Sequence, residues 1–162
     1  MPDLELTRAQ GERHLYVLHG VGKLRLGGLA ARTAIAEAGE RSWRIERRRL
    51  RERGIQATDA AGTPVGVFEQ GGMRRGGTLR WDRRELTLRP SSRWRERYML
   101  VDGDRELAVL DGRGWGKRPV KMTVEQPAAI EPGLLLFAAF VVRRLAAGAA
   151  AAAGVAASAV GS

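Results

Sequence analysis

Between Ser42 and Glu125 apolar and polar residues alternate in short runs, each closed by a Gly, Pro or Asp signal. Trp43 and Ile45 alternate with Arg44 and Glu46, Ile55-Gln-Ala-Thr runs into Asp59-Ala-Ala-Gly62, and Val65 and Val67 follow Pro64. Successive side chains of a strand point to opposite faces, so these runs predict strands with one buried face. Asp59 at the head of its turn accepts backbone hydrogen bonds, and Gly62 at its end tolerates the left-handed conformation. The unit recurs as Leu79 and Trp81 around Arg80, then Leu86 and Leu88 around Thr87, with a break at Pro90-Ser-Ser. Trp94 to Val101 leads through Asp102-Gly-Asp104 to Leu107-Ala-Val-Leu110, and Asp111-Gly-Arg-Gly114 precedes Val120, Met122 and Val124. Asp-Gly between apolar alternations is a strong hairpin signal, so the segment predicts a mainly β sandwich or barrel of antiparallel hairpins.

The first forty residues are less regular. His14 to Leu18 and Lys23 to Leu26 read as strands, and Ala30 to Glu37 reads as strand or helix. Strand is favoured, because Ala31, Thr33, Ile35 and Glu37 alternate against Ala30, Arg32, Ala34 and Ala36. After Glu125 the pattern changes. Pro127 and Glu131-Pro-Gly133 introduce Leu134-Leu-Leu-Phe-Ala-Ala-Phe-Val-Val142, which is apolar all round and is followed by Arg143 and Arg144. Pro132 suits a first helical turn, with Glu131 at the positive end of the helix dipole and the two arginines expected at its negative end. A helix apolar on every side is buried on every side, and in a β protein of this size that means the inside of a sheet curled around it. The expected organisation is one β domain over residues 1–145 with a central helix at 132–145. Residues 146–162, mostly Ala and Gly, are expected to form a weakly helical or disordered tail.

The hairpins, their Asp-x-x-Gly turns and the terminal apolar helix together resemble the tubby C-terminal-like superfamily, which includes LURP-one-related proteins and phospholipid scramblases. The resemblance rests on Ile55-Gln-Ala-Thr-Asp-Ala-Ala-Gly-Thr-Pro-Val-Gly-Val-Phe68, its echo Tyr98-Met-Leu-Val-Asp-Gly-Asp-Arg-Glu-Leu-Ala-Val-Leu110, and Pro132 to Arg144. It implies a closed antiparallel β-barrel of about 10–12 strands around the C-terminal hydrophobic helix. Tubby-like members bind phosphoinositide headgroups through basic residues. No residue of that pocket is carried over to this chain.

Composition narrows the chemistry. The 162 residues include no cysteine, which removes disulfides, zinc-thiolate sites, Fe–S clusters and thiol nucleophiles. Met1-Pro-Asp-Leu-Glu-Leu-Thr carries acids where a signal peptide carries Lys or Arg, so a cytoplasmic protein is expected. The run Leu134 to Val142 covers roughly 14 Å as a helix, about half of a bilayer's hydrocarbon core, and Arg143 and Arg144 oppose any extension of it. No transmembrane span is expected.

Catalytic frames are missing. His14 and His19 are five apart, matching neither a helical nor a strand metal pair, and no metal site or cofactor is expected. Asp102 with Asp104, and Asp82 with Glu85, lie in turn contexts that account for them. The serines, at 42, 91, 92, 158 and 162, lie outside any Gly-x-Ser-x-Gly elbow. Gly112-Arg-Gly-Trp-Gly-Lys117-Arg118 fails as a phosphate loop on spacing and on Arg118 in place of a hydroxyl, and Gly20-Val-Gly22 lacks a third glycine. The expectation is a protein that is not an enzyme.

Arginine is the one functional constellation. The net charge is +10, from 28 basic and 18 acidic residues, a surplus that suits an anionic partner and equally the codon bias of a GC-rich genome. Arg41, Arg44, Arg47, Arg48, Arg49, Arg51 and Arg53 crowd thirteen residues. On one strand Arg47, Arg49, Arg51 and Arg53 would share a face, with Arg44 and Arg48 on the other. Arg74, Arg75, Arg80, Arg83 and Arg84 form a second group and Lys117, Arg118 and Lys121 a third. The candidate anion-binding residues are Arg44, Arg47, Arg48, Arg49, Arg51, Arg74, Arg75, Lys117, Arg118 and Lys121, with Trp115 beside them in a Gly-rich turn. Trp43, Trp81 and Trp94 read as core. The expected partner is anionic phospholipid at the inner membrane face. Nucleic acid gripped by the same guanidiniums is the alternative, and a scaffold without an anionic ligand is the third reading.

Overall fold

A computed structural model describes residues 3–28, 32–48, 54–71, 76–91, 97–112 and 120–160, with side chains described as far as residue 148. The described residues form twelve strands, β1 (Asp3–Arg8), β2 (Leu15–Leu18), β3 (Gly22–Gly27), β4 (Thr33–Ala38), β5 (Arg41–Arg47) and β6 (Gly54–Asp59), then β7 (Pro64–Gln70), β8 (Gly77–Trp81), β9 (Arg84–Pro90), β10 (Arg97–Asp102), β11 (Arg105–Asp111) and β12 (Val120–Val124). A 3-10 turn at Pro127–Ala129 leads into one helix, α1 (Pro132–Val160). Each strand pairs antiparallel with its sequence neighbours, and β1 pairs with β12, so the sheet closes into a barrel. The seam runs from Asp3 opposite Thr123 to Leu6 opposite Val120, and the Thr123 hydroxyl donates to Asp3 Oδ1 across it at 2.9 Å. Closure leaves no strand edge to template aggregation.

The alternation read from the sequence sets which residues face inward. Trp43 and Ile45 on β5, Leu79 and Trp81 on β8, Leu86 and Leu88 on β9, and Val120, Met122 and Val124 on β12 all line the core. The turn chemistry also holds, since Asp59 Oδ1 accepts from the backbone N–H of Ala61 (3.0 Å) and Thr63 (2.9 Å), and Gly62 has φ +85°. Trp94 lies outside the described residues.

Inside the barrel runs α1. Every residue from Leu134 to Val142 is at most 1% exposed. Seven of these are large, and each contributes about 1.5–3 kcal/mol on burial. The helix packs most closely on β4, whose inward residues Ala34 and Ala36 leave room for it. At its start Gly133 lies against the edges of Trp43 and Trp81. Here the Nε1–H of Trp81 donates to Glu131 Oε2 at 2.6 Å, tying the loop before the helix to the wall.

The structure adds to the sequence reading in two places. β1 is a further strand, carried by the alternation of Leu4 and Leu6 with Asp3 and Glu5 but marked by no hairpin signal of the Asp-Gly kind. And α1 does not stop near residue 145. Its 29 residues run unbroken to Val160, so Arg143 and Arg144 are mid-helix rather than at the negative end of a dipole. At 1.5 Å per residue the helix is about 43 Å long, whereas a seven-residue strand tilted about 40° spans only about 18 Å of barrel height. The C-terminal half of α1 therefore projects beyond the barrel. Among the described residues no helix is long and apolar enough to cross a membrane.

Candidate anion-binding rim

An all-antiparallel barrel of sequential neighbours puts its connections alternately at two ends. At the lower rim, where α1 begins, lie the turns after β2, β4, β6, β8 and β10 and the segment 125–131. At the upper rim, where α1 leaves, β1, β3, β5, β7, β9 and β11 end. Charge divides along this axis. The lower rim carries Glu40, Asp59, Asp82, Asp102, Glu125 and Glu131, and two of its arginines are ion-paired there, Arg84 with Asp102 at 3.0 Å and Arg105 with Glu125 at 3.5 Å, while Arg41 lies over the Trp43 ring at 5.0 Å and Arg83 stands in the β8–β9 turn. The upper rim carries Arg8, Arg13, Arg32, Arg47, Arg89 and Arg97, joined by Arg143 and Arg144 from the helix. Its described carboxylates are Glu12, held by Arg25 at 2.9 Å, Glu69, held by Arg48 at 3.8 Å, and Asp111, opposite Arg97 in the β10–β11 register.

The sequence candidates separate on this frame. Arg44 is exposed on the outer wall, opposite Ile35 of β4 and Thr58 of β6. Lys121 is likewise on the outer wall, with Glu5 of β1 directly opposite. Arg47 and Arg48 are at the upper rim. Arg49, Arg51, Arg74, Arg75, Trp115, Lys117 and Arg118 lie outside the described residues, although the strand ends that flank them, from β5 to β8 and at β11 and β12, are all on the upper rim. Strand β5 ends at Arg47, and Arg49, Arg51 and Arg53, read from the sequence as sharing its face, lie outside the described residues. The second arginine group is divided by the length of β8. Arg80 is on the outer wall 3.4 Å from Glu85, and Arg83 and Arg84 are at the lower rim.

To the sequence candidate Arg47 the rim adds Arg32 and Arg144, which the sequence reading placed elsewhere. Strands β4 and β5 pair with Ala34 opposite Ile45, and continuing that register by two residues sets Arg32 opposite Arg47. Both have the inward parity of Ala34 and Ile45, yet both are exposed, because they stand just past the last buried layer at the mouth. Arg144 reaches the same place from the helix, two residues after the buried Val142. Burial lowers the Arg144 guanidinium below its ordinary pKa, and the charges of Arg47 and Arg32 lower it further. Arg143 is lowered by burial first, with Tyr16 acting upward and Arg144 downward. The signal for this cluster was in the sequence, since residues following a threaded apolar run must surface at the opposite rim. Finding it required knowing that β4 and β5 end there too.

The remaining polar pairs have local roles. His14 precedes β2 and His19 follows it, so the two histidines stand at opposite rims. Asp102 and Glu85 hold Arg84 and Arg80. Among the described residues no group of three His, Asp or Glu could hold a metal ion. Comparison of the chain with family models, curated proteins and solved structures finds no match.

Proposed function

We propose that the protein is a non-enzymatic binding protein whose upper rim docks on anionic phospholipid headgroups, holding it at the inner face of the cytoplasmic membrane. The observation that supports this is the division of charge along the barrel axis: arginines gather where α1 emerges and carboxylates where it begins. A surplus spread evenly by codon bias would have no reason to respect the axis. A basic face of this kind is drawn to an anionic surface and loses that attraction as salt screens it. Nucleic acid offers the same phosphates and stays the alternative: base stacking needs exposed aromatics, and of the tryptophans Trp43 and Trp81 are each only 2% exposed, while Trp94 and Trp115 lie outside the described residues. We propose further that the chain is a distant member of the tubby C-terminal-like superfamily, a reading supported by twelve strands closed around a threaded C-terminal helix.

Flotation with vesicles of pure phosphatidylcholine and of phosphatidylcholine containing phosphatidylserine tests the reading. Co-flotation with the anionic vesicles alone at low salt is the expected result, and equal behaviour on both overturns it. Displacement from vesicles by an oligonucleotide at far lower phosphate concentration would overturn it in favour of nucleic acid.

A further inference from the structure

We propose that Arg32, Arg47 and Arg144 form a single site for one phosphate group at the mouth of the barrel. This rests on, and sharpens, the proposal that the upper rim binds anions. Three independent pieces of geometry converge there. The β4–β5 register, with Ala34 opposite Ile45, carries Arg32 and Arg47 to facing positions. Both continue the inward parity of Ala34 and Ile45, and both are exposed, two residues beyond that buried pair. The helix that fills the barrel axis packs most closely on β4 and carries Arg144, two residues after the buried Val142, to the same mouth. The charges are near enough that Arg47 and Arg32 each disfavour the charged form of Arg144.

Among the described residues no carboxylate is within ion-pair distance of any of the three, whereas Arg25, Arg48, Arg80, Arg84 and Arg105 each have one. Three guanidiniums held together, one of them partly desolvated, repel one another until an anion joins them. Guanidinium forks match phosphate oxygens in bidentate fashion, and a terminal phosphate monoester offers three such oxygens to three forks. Because two members are on the wall and the third on the threaded helix, an occupant ties the helix to β4 and β5. A ligand that binds the folded state stabilises it in proportion to its occupancy. The chemistry is shared by a monoester lipid headgroup and by a free phosphorylated solute.

Calorimetric titration and thermal unfolding of the full chain with inorganic pyrophosphate, at constant ionic strength, tests the site. Saturable binding and a raised midpoint are expected. R47Q and R144Q should each weaken the affinity by about tenfold or more, as loss of a hydrogen-bonded charge does, whereas the outer-wall control R44Q should match the wild type. R144Q removes a desolvated charge and is expected to fold, which circular dichroism checks, and R144K should recover part of the affinity. Absence of saturable binding, or R47Q and R144Q behaving like R44Q, overturns the site. Vesicles carrying phosphatidate or phosphatidylserine at matched surface charge separate the sources. A phosphatidate preference that R47Q abolishes supports a lipid occupant, and pyrophosphate binding without that preference supports a free one. Vesicle binding that the variants leave intact overturns the triad alone. Pyrophosphate binding without vesicle binding overturns only the membrane reading.

Discussion

At the scale of single residues the fold turns on two indoles wedged between two glycines. Trp81 faces Gly66 across β7 and β8, where a Cβ would stand 2.6 Å from its ring, and Gly133 of α1 would place a Cβ 2.7 Å from both Trp43 and Trp81. Neither site has slack, because the rings are held by each other at 5.9 Å between centroids and by Phe137 at 5.7 Å. Gly66→Ala and Gly133→Ala are therefore each expected to destabilise by about 1–3 kcal/mol, the usual cost of overpacking, measured as a lowered urea midpoint with unchanged slope. Trp81→Phe keeps most of the apolar ring but removes the 2.6 Å donor to Glu131. A hydrogen bond to a charged acceptor is worth about 1.5–3 kcal/mol. The same urea titration should show a loss of at least that size, and an unchanged midpoint would mean that the bond does not secure the loop. Gly66 did not stand out in the sequence and Gly133 only as punctuation before the helix, because a close approach between elements is a property of register and packing and leaves no trace in local composition.

The helix is the element whose legibility was most uneven. Leu134 to Val142 announced its own burial, since nine apolar residues with no polar face fit only inside something. Its continuation to Val160 was not legible, because the Ala and Gly that follow carry no face to read. The physical reason is cooperativity. Nucleation is the costly step of helix formation, and here the buried half has already met it, so alanine, the best helix former, propagates the turn outward. Two consequences follow. Phe137→Ala, at a residue with no exposure, should cost about 3–5 kcal/mol and leave the barrel marginal or unfolded at 37 °C. A chain ending at Gly148 should keep its thermal midpoint, because Ala147 and Gly148 are already exposed and the large buried side chains all precede them. Strands were legible for the opposite reason, each being marked by its own period and turn. β1 escaped only because two leucines among acids make a faint period.

The whole molecule has a direction that no segment of it contains. Arginines scattered through Arg8, Arg32, Arg47, Arg97 and Arg144 come to one rim only when twelve strands close and a helix is drawn through them. Clustering along the sequence was a poor guide to this. Arg80, Arg83 and Arg84, adjacent to Arg74 and Arg75 in the chain, stand on the wall or at the opposite rim. Burying part of Arg143 and Arg144 lowers their pKa, so the folded state holds these protons less tightly than the unfolded chain. The cost is fully present at neutral and acidic pH, where arginine is always charged, and is relieved only as pH rises through the lowered values. An anion at the rim relieves it at neutral pH. If the upper rim is the face that meets the membrane, orientation is testable with single labels, because the chain has no cysteine of its own. A polarity-sensitive fluorophore at Ala147→Cys, just beyond the rim on α1, should shift to the blue on anionic vesicles at low salt. The same fluorophore at Asp104→Cys, in the β10–β11 turn of the lower rim, should not. Raising the salt to about 0.5 M, where the screening length falls to a few ångström, should reverse the first signal. Equal shifts at both positions would mean that the barrel lies on its side or unfolds at the surface, and the axial charge division would then have no part in binding.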